Sequence, residues 1–96
     1  MFYWIIYDIS RDRTRLKVSR ACQRAGLHRV QKSVFLGKLR RKTLFALRTD
    51  FNRIVNWRTD KVFFVPMNND EYRQIHRTGA KRQTPVLPPH AQPSFY

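Results

Sequence analysis

The stretch FYWIIYD, residues Phe2–Asp8, is aromatic or β-branched up to its last residue, which is a carboxylate. Because it lacks the polar alternation of a half-exposed strand, it predicts a central strand covered on both faces. Asp8 then lies at the C-terminal end of that strand. The chain has 20 Lys and Arg against 6 Asp and Glu, so a carboxylate in this position points to metal chemistry on a polyanion.

Charge and composition define the class of partner. The formal net charge of the 96 residues is +14, which is more than solubility requires and indicates nucleic acid as the partner. Apolar residues make up 42% of the chain and aromatic residues 14%, so one packed domain is expected. Dimerisation is a natural supplement to so small a core.

Cysteine and histidine usage excludes two kinds of site. Cys22 is the single cysteine, which excludes an intramolecular disulfide and, with three scattered histidines, a Cys/His zinc site. Its apolar neighbours on a predicted helix favour a core residue over a nucleophile. The longest apolar run is far shorter than the ~20 residues that span a bilayer, so no membrane association is expected. The run also lacks the pattern of a signal peptide, and the cytoplasm is the expected compartment.

The first helix is predicted from the Ser10–Thr14 loop to Ala25, where Gly26 stops it, with Asp12 as N-cap. Its apolar stripe comprises Val18, Ala21, Cys22 and Ala25. A second stripe on this helix, the α1 cationic stripe, comprises Arg13, Lys17, Arg20 and Arg24. This stripe is either an ordinary solvated face or a phosphate-facing surface.

The next segments alternate between extended and helical patterns. His28–Leu39 predicts two short strands that meet around Gln31–Ser33. Thr43 is the predicted N-cap of a second helix that continues to Trp57. The core face of this helix comprises Leu44, Leu47, Phe51, Ile54 and Val55. Asp60–Pro66 predicts a last strand, ended by a proline that cannot donate a backbone hydrogen bond.

The element order β, α, β, β, α, β predicts an α+β fold of the ferredoxin-like βαββαβ plan, with both helices on one face of the sheet. A homodimer packed through the sheets would cover the other face. Residues 1–67 form the predicted core, and residues 68–96 form an extension that begins with a short helical segment over Asn68–His76. The prolines between Pro85 and Pro93 predict an extended tail, whose aromatic tip favours docking on a partner.

Several motifs, taken in order, resemble the CRISPR-associated protein two family, the small partner of the CRISPR integrase. Each motif is weak alone, but the ordered combination over residues 2–67 is specific. The motifs are Tyr7-Asp8-Ile9, Arg15–Val18, Gly26-Leu27 with Arg29–Gln31, Ser33–Gly37 and Asp60–Met67. The resemblance implies a ferredoxin-like homodimer with metal-dependent endonuclease activity on RNA or double-stranded DNA. It also implies that the dimer bridges integrase subunits and holds duplex DNA during spacer acquisition.

The resemblance assigns the catalytic and metal-binding role to Asp8, which would hold Mg²⁺ or Mn²⁺ together with the Asp8 of a second chain. From position alone, a turn-forming aspartate after a strand is the alternative. The expected role of Asp12 is N-cap, and metal ligand is the alternative. The expected role of Ser10 is to close the turn, and orienting a water is the alternative.

Other positions that match family residues tied to activity are Arg15, Lys17, Arg29 and Phe35. Because acids are scarce, Arg15 and Arg29 are predicted to contact phosphate rather than to form structural ion pairs. Phe35 is predicted to pack in the core or in the dimer rather than to stack on a base.

Arg40, Arg41 and Lys42 open the second predicted helix, where cations oppose the helix dipole. Bound phosphates would outweigh this local cost. This cluster and the α1 cationic stripe are therefore predicted to follow a duplex backbone without reading bases.

Four functions stay open. The first is a DNA-spanning homodimer that docks the integrase, and the second is a Mg²⁺-dependent nuclease that uses paired Asp8 side chains. The third is a toxin-like ribonuclease that cleaves messenger RNA, and the fourth is a non-catalytic nucleic-acid-binding module. Single-stranded RNA and duplex DNA are the candidate ligands. The chain has no Gly-rich phosphate loop, which disfavours nucleotide hydrolysis.

Overall fold

The structure, a computed structural model, describes residues 1–75. The predictions made for the proline-rich tail and its aromatic tip lie outside these residues. The bounds of the elements are β1 Phe2–Asp8, α1 Asp12–Arg24, β2 His28–Gln31, β3 Val34–Lys38, α2 Arg41–Ile54, β4 Lys61–Met67 and α3 Asn69–Arg73. Within this part of the chain, no helix has the length and apolar character needed to cross a membrane.

β1 is an inner strand with a hydrogen-bonded neighbour on each side. The sheet order is β2-β3-β1-β4, and each neighbouring pair is antiparallel. The α1 connection carries the chain from β1 past β3 to β2, and the α2 connection carries it from β3 past β1 to β4. This topology is ferredoxin-like, and the predicted α+β fold is confirmed.

The main core lies between the sheet and the two long helices. Ile5 of β1 and Phe35 of β3 are fully buried there. Val18 of α1 and Phe51 of α2 belong to the same cluster. Every position of the two predicted apolar stripes is buried or half-buried, so both stripes are confirmed. A fully buried side chain of this size contributes about 1.5–3 kcal/mol to folding.

Cys22 is a core residue, as predicted. It is fully buried, and burial raises the pKa of its thiol to about 12 despite the opposing field of Arg29. The thiol is therefore protonated at neutral pH and is not a nucleophile. Leu16, which the apolar stripe does not include, is 49% exposed.

The opposite face of the sheet is only partly covered. Tyr72 of α3 stacks on Phe2 with the ring centroids 3.9 Å apart, so this part of the extension packs on the core. Farther along this face, Ile6, Phe63 and Val65 are exposed by 37%, 52% and 41%. The predicted cover of β1 on both faces is thus complete only on the helical side within residues 1–75.

Two predicted N-caps are wrong. The N-cap of α1 is Arg11 rather than Asp12, because the Asp12 carboxylate forms an ion pair with Arg15 one turn farther along. Asp12 is instead the first helical residue, where a negative charge interacts favourably with the helix dipole. The N-cap of α2 is Arg40, so Thr43 lies inside the first turn. Neither helix start has a side-chain cap hydrogen bond.

Three element ends also differ from prediction or refine it. α2 ends at Ile54 rather than Trp57, because the buried Asp60 carboxylate accepts the backbone N–H of Asn56 at 3.0 Å and fixes a turn there. Pro66 lies inside β4, opposite Tyr3, rather than ending it. β4 is an edge strand, where a proline nitrogen can face the unpaired side. The two short strands meet at residues 32–33, and a short helix follows β4, as predicted.

Gly37→Ala should destabilise the fold by about 1–3 kcal/mol, the usual cost of overpacking. A Cβ on Gly37 would lie 2.9 Å from Leu27 Cδ2 and 3.2 Å from Leu27 Cα, so backbone atoms would have to move. Urea unfolding measures the change. Lys38→Ala, at an exposed position of the same strand, is the matched control. Equal stability of Gly37→Ala and the unaltered chain would contradict this packing.

Candidate metal and nucleic-acid site

Asp8 is the last residue of β1, and its side chain is exposed. Side chains alternate along a strand, so Asp8 follows Phe2, Trp4 and Ile6 on the face of the sheet opposite the long helices. The Cα of Lys61 on β4 lies opposite that of Asp8. Among residues 1–75, however, no ion pair involves Asp8.

The other acids of the chain all have structural partners. Three are paired with an arginine three residues later: Asp12–Arg15, Asp50–Arg53 and Asp70–Arg73. Asp60 accepts the N–H of Asn56, and Glu71 completes a capping box with Asn68. All 6 acids belong to the described residues, and within these Asp8 alone has neither an ion pair nor a hydrogen bond to its carboxylate.

A cleft of about 600 Å³ opens beside the end of β1. Its walls come from β1, from the first turns of α1 and from the β2–β3 turn. The predicted site residues that line it are Asp8, Asp12, Arg15 and Arg29. The sequence motifs that suggested a site are thus brought together at one end of the sheet.

Arg15 fastens the connection between β1 and α1. Its Nη1 donates to the carbonyl oxygens of Ile9 at 2.8 Å and Ser10 at 3.2 Å, while its Nη2 forms the ion pair with Asp12. The prediction that Arg15 forms no structural ion pair is therefore wrong, because one of the few acids lies one turn away on the same helix. A guanidinium has five N–H donors, so these bonds leave donors for an anion in the cleft.

Arg29 holds α1 against the β2–β3 turn. Its Nη1 donates to the Lys32 carbonyl at 2.9 Å, and its Nη2 donates to Ser19 Oγ. Its guanidinium carbon lies 5.0 Å from the ring centroid of Phe35. Phe35 itself is 0% exposed, so it packs in the core, as predicted, and offers no open face to a base.

Tyr7 fixes the same turn to β1. Its hydroxyl donates to the Lys32 carbonyl at 3.3 Å, and its backbone N–H donates to the Ser33 carbonyl at 3.0 Å. Burial raises the pKa of Tyr7, although Arg29 opposes the shift. The hydroxyl is therefore protonated at neutral pH and available as a donor.

Sequence reasoning missed Tyr7, Ser19 and Lys32 as site residues. Tyr7 is indistinguishable from a core aromatic in its apolar run, and Lys32 contributes a backbone carbonyl, which no side-chain pattern reveals. One signal for Ser19 existed: it follows Arg15 by four residues and therefore shares its helix face.

The donor set fits a metal site only in part. Within residues 1–75, no group of three His, Cys, Asp or Glu side chains is placed to hold a metal. Asp12 lines the cleft, but its carboxylate is bound to Arg15. Mg²⁺ commonly uses one or two carboxylates and keeps several waters, so Asp8 suits it. A second carboxylate would have to come from another chain.

The remaining predicted cations lie away from the cleft. The four residues of the α1 cationic stripe are all exposed, and in the described part of the chain none of them forms an ion pair. Arg40, Arg41 and Lys42 are exposed at the start of α2. Phe2 pairs with Lys38, which places this start at the end of the sheet opposite Asp8. For a strand as long as β1, that separation is roughly 20 Å.

The fold and the cleft define a small basic ferredoxin-like protein, and within residues 1–75 the carboxylate at the end of its central strand is unpaired. The sequence model of the family described as CRISPR associated protein Cas2 matches residues 1–75. The chain therefore belongs to the CRISPR-associated Cas2 family. The match confirms the resemblance and extends it beyond residue 67 through α3.

Two curated relatives are named as endoribonucleases. The CRISPR-associated endoribonuclease Cas2 of Aeropyrum pernix is 30% identical over 79 residues, which cover 82% of this chain and 86% of the relative. The CRISPR-associated endoribonuclease Cas2 1 of Archaeoglobus fulgidus is 31% identical over 67 residues, which cover 70% of this chain and 71% of the relative.

Two crystal structures share the fold. Streptococcus pyogenes Cas2 superposes with a TM-score of 0.74 at 21% identity, covering 82% of this chain and 100% of that one. A hypothetical protein from Thermus thermophilus superposes with a TM-score of 0.69 at 25% identity, covering 86% and 93%.

Arg29→Ala should lower the free energy of unfolding by about 1 kcal/mol, because Ser19 Oγ loses its donor and the Lys32 carbonyl keeps only the longer bond from the Tyr7 hydroxyl. Chemical denaturation measures this. Arg24→Ala, an exposed position on α1, is the control and should change stability by less than about 0.5 kcal/mol. An Arg29→Ala protein of unchanged stability but weaker nucleic-acid binding would mean that Arg29 serves a phosphate rather than the fold.

Proposed function

We propose that this protein is a CRISPR adaptation protein that acts in the cytoplasm as a basic homodimer. It binds duplex DNA, bridges subunits of the CRISPR integrase and has a Mg²⁺-dependent endonuclease capacity, toward RNA in particular, through Asp8. The observation that carries the catalytic part is that, within residues 1–75, Asp8 alone among the acids has no structural partner. Family membership and the endoribonuclease names of its relatives support the assignment.

The apolar outer face of the sheet supports the homodimer. Ile6, Phe63 and Val65 leave large apolar side chains exposed on a face that the helices do not cover. A second copy would remove them from water with a gain of about 25 cal/mol per Å² of apolar surface. Asp8 follows Ile6 on this face, so a two-fold axis near the strand end would bring two Asp8 carboxylates together.

The metal proposal follows from that pairing. Two Asp8 side chains with waters form a donor set suited to Mg²⁺ or Mn²⁺. When bound, the metal supplies an activated water and compensates charge that develops on the phosphate. Arg15 and Arg29 line the same cleft, and their remaining donors would hold the phosphodiester in place. Tyr7, which stays protonated, keeps the Lys32 turn fixed beside the reacting group.

The duplex proposal rests on the helical layer. The α1 cationic stripe runs for roughly 17 Å along the helix from residue 13 to residue 24. α1 and α2 are antiparallel, so this stripe leads from the Asp8 end toward the cluster Arg40, Arg41 and Lys42. All of these cations are exposed, and together they can neutralise a run of backbone phosphates without reading bases.

The integrase contact is assigned to the extension, residues 68–96. Its first part, α3, packs on Phe2 and is therefore fixed on the core. Residues 76–96 lie outside the described part of the chain, and their docking on the integrase is the prediction made from their proline and aromatic content.

Asp8→Asn should lower the rate of Mg²⁺-dependent cleavage by about 100-fold or more, because the amide is a poor replacement for a metal-binding carboxylate. Cleavage of single-stranded RNA and duplex DNA is measured with Mg²⁺ or EDTA. Asp70→Asn, an exposed acid on α3, is the control and should retain any activity.

Metal-dependent cleavage that survives in Asp8→Asn would overturn the catalytic assignment of Asp8. Absence of cleavage in both proteins, with tight DNA binding, would leave the bridging role alone. A toxin-like ribonuclease is the second candidate, favoured by the endoribonuclease names of the relatives. Growth arrest on expression, relieved by Asp8→Asn, would identify it.

Replacing Arg40 and Arg41 together by Ala should make the slope of log K against log salt for duplex binding shallower by about 2, since each phosphate contact contributes about 0.9. Fluorescence anisotropy over a range of salt concentrations gives this slope. Arg53→Ala is the control, because Arg53 is bound to Asp50 at 2.8 Å and carries no assigned phosphate. An unchanged slope in the double variant would remove the cluster from the DNA-binding surface.

A further inference from the structure

Phe45 on α2 and Trp57 just after this helix are aromatic residues that the core does not use. Phe45 is 73% exposed, and Trp57, which follows the helix, is 50% exposed. Large apolar side chains that are exposed together on one surface mark an interaction site. Neither the Asp8 cleft nor the duplex surface described above uses them.

These rings lie among polar and cationic side chains on one stripe of the helix. Arg41, Phe45, Arg48 and Asn52 follow the spacing i, i+4, i+7, i+11, so they share one side of α2. All four side chains are exposed. With Trp57 they make up the α2 aromatic stripe. The one acid of α2, Asp50, is paired with Arg53 and leaves the positive charge of the stripe uncompensated.

Two contacts hold the stripe in place. The Trp57 indole N–H donates to Asn52 Oδ1 at 3.2 Å, which fixes the indole beside the helix. The guanidinium carbon of Arg48 lies 5.9 Å from the ring centroid of Phe64 on β4, so the stripe is on the β4 side of α2. A ring and a cation that are already oriented lose less conformational entropy when a ligand binds.

We infer that the α2 aromatic stripe binds single-stranded nucleic acid, with Phe45 and Trp57 stacking on bases and Arg41 and Arg48 contacting the backbone. Positive charge complements the polyanion, and aromatic rings complement the faces of bases. Phe45 and Asn52, which holds Trp57, are separated by about 10 Å along the helix. In a duplex the bases are stacked on one another about 3.4 Å apart and their faces are covered, so rings with this spacing select a single strand.

This surface is distinct from the Asp8 site and needs no metal. The test is therefore made in EDTA, where metal-dependent cleavage cannot occur, with dye-labelled oligothymidylate and oligouridylate and with a duplex of equal length. Phe45→Ala and Trp57→Ala should each weaken single-strand binding roughly 5- to 100-fold, as loss of one base stack does. Duplex binding should change less than about twofold, because no phosphate contact is lost.

The controls separate stacking from other causes. Phe45→Tyr keeps a ring and should retain single-strand affinity, while Gln23→Ala changes an exposed position of α1 outside the cleft and should change nothing. Trp57→Phe should keep the affinity but lose most of the quenching of tryptophan fluorescence on oligothymidylate, with Trp4 as the remaining fluorophore. Circular dichroism and thermal unfolding verify that each variant is folded.

Equal losses on single strand and duplex, or no loss on either, would overturn the inference. If Phe45→Ala lowers the sedimentation mass instead and leaves oligonucleotide binding unchanged, the stripe is a protein contact and the inference is wrong. These outcomes do not bear on Asp8, whose cleavage assay needs Mg²⁺, so the two proposals can fail separately.

Discussion

The pairing of β1 on both of its edges sets the position of the other elements. β1 forms backbone ladders with β3 on one side and β4 on the other, and its register with β4 runs from Phe2 to Asp8. The face of β1 that carries Ile5 and Tyr7 is removed from water by the helices, so this face must be apolar. The strand ends where polarity begins, so Asp8 lies at the end of the sheet rather than within the core. The same pairing aligns the starts of α1 and β4 at that end, and there the cleft forms.

How much of the fold could be predicted depends on the range of the interaction that fixes each part. Hydrophobic periodicity identified both long helices and their buried faces, because burial repeats every three to four residues along the chain itself. The N-cap predictions were wrong. Asp12 is held by Arg15 and is no longer available to the backbone, and α2 begins at Arg41, before Thr43. The prediction that Pro66 ends the last strand was wrong because β4 is an edge strand, which tolerates a proline, and the sequence of one strand does not show whether it lies at an edge.

In the candidate site, too, features fixed by the local sequence could be predicted and contacts between distant parts of the chain could not. Asp8 could be found because its charge contrasts with an apolar run in a basic chain. That Arg15 and Arg29 line the cleft was expected from the motifs, but their bonds to the carbonyls of Ile9 and Lys32 could not be, since backbone acceptors have no sequence signature. Ser19 on α1 belongs to the site because Arg29 on β2 donates a hydrogen bond to its hydroxyl, a contact between two elements that the sequence does not show. Sequence reasoning did not single out Phe45. Hydrophobic periodicity shows which face of a helix is buried, and Phe45 lies outside that face.

The charge distribution connects stability to the ligand. Asp12, Asp50 and Asp70 are used in exposed pairs within single helices, and such pairs contribute only about 0–1 kcal/mol each. The 6 acids are already counted in the formal net charge of +14, so all of that charge stays uncompensated, and it repels itself across a domain of this size. The polyanion proposed to bind the helical layer would relieve this repulsion, and it would bind the folded state more tightly than the unfolded chain because folding aligns the cations. Under the proposed function, nucleic acid would therefore stabilise the fold by mass action, and high salt would replace it only in part, since screening reduces the repulsion without supplying the ordered phosphates.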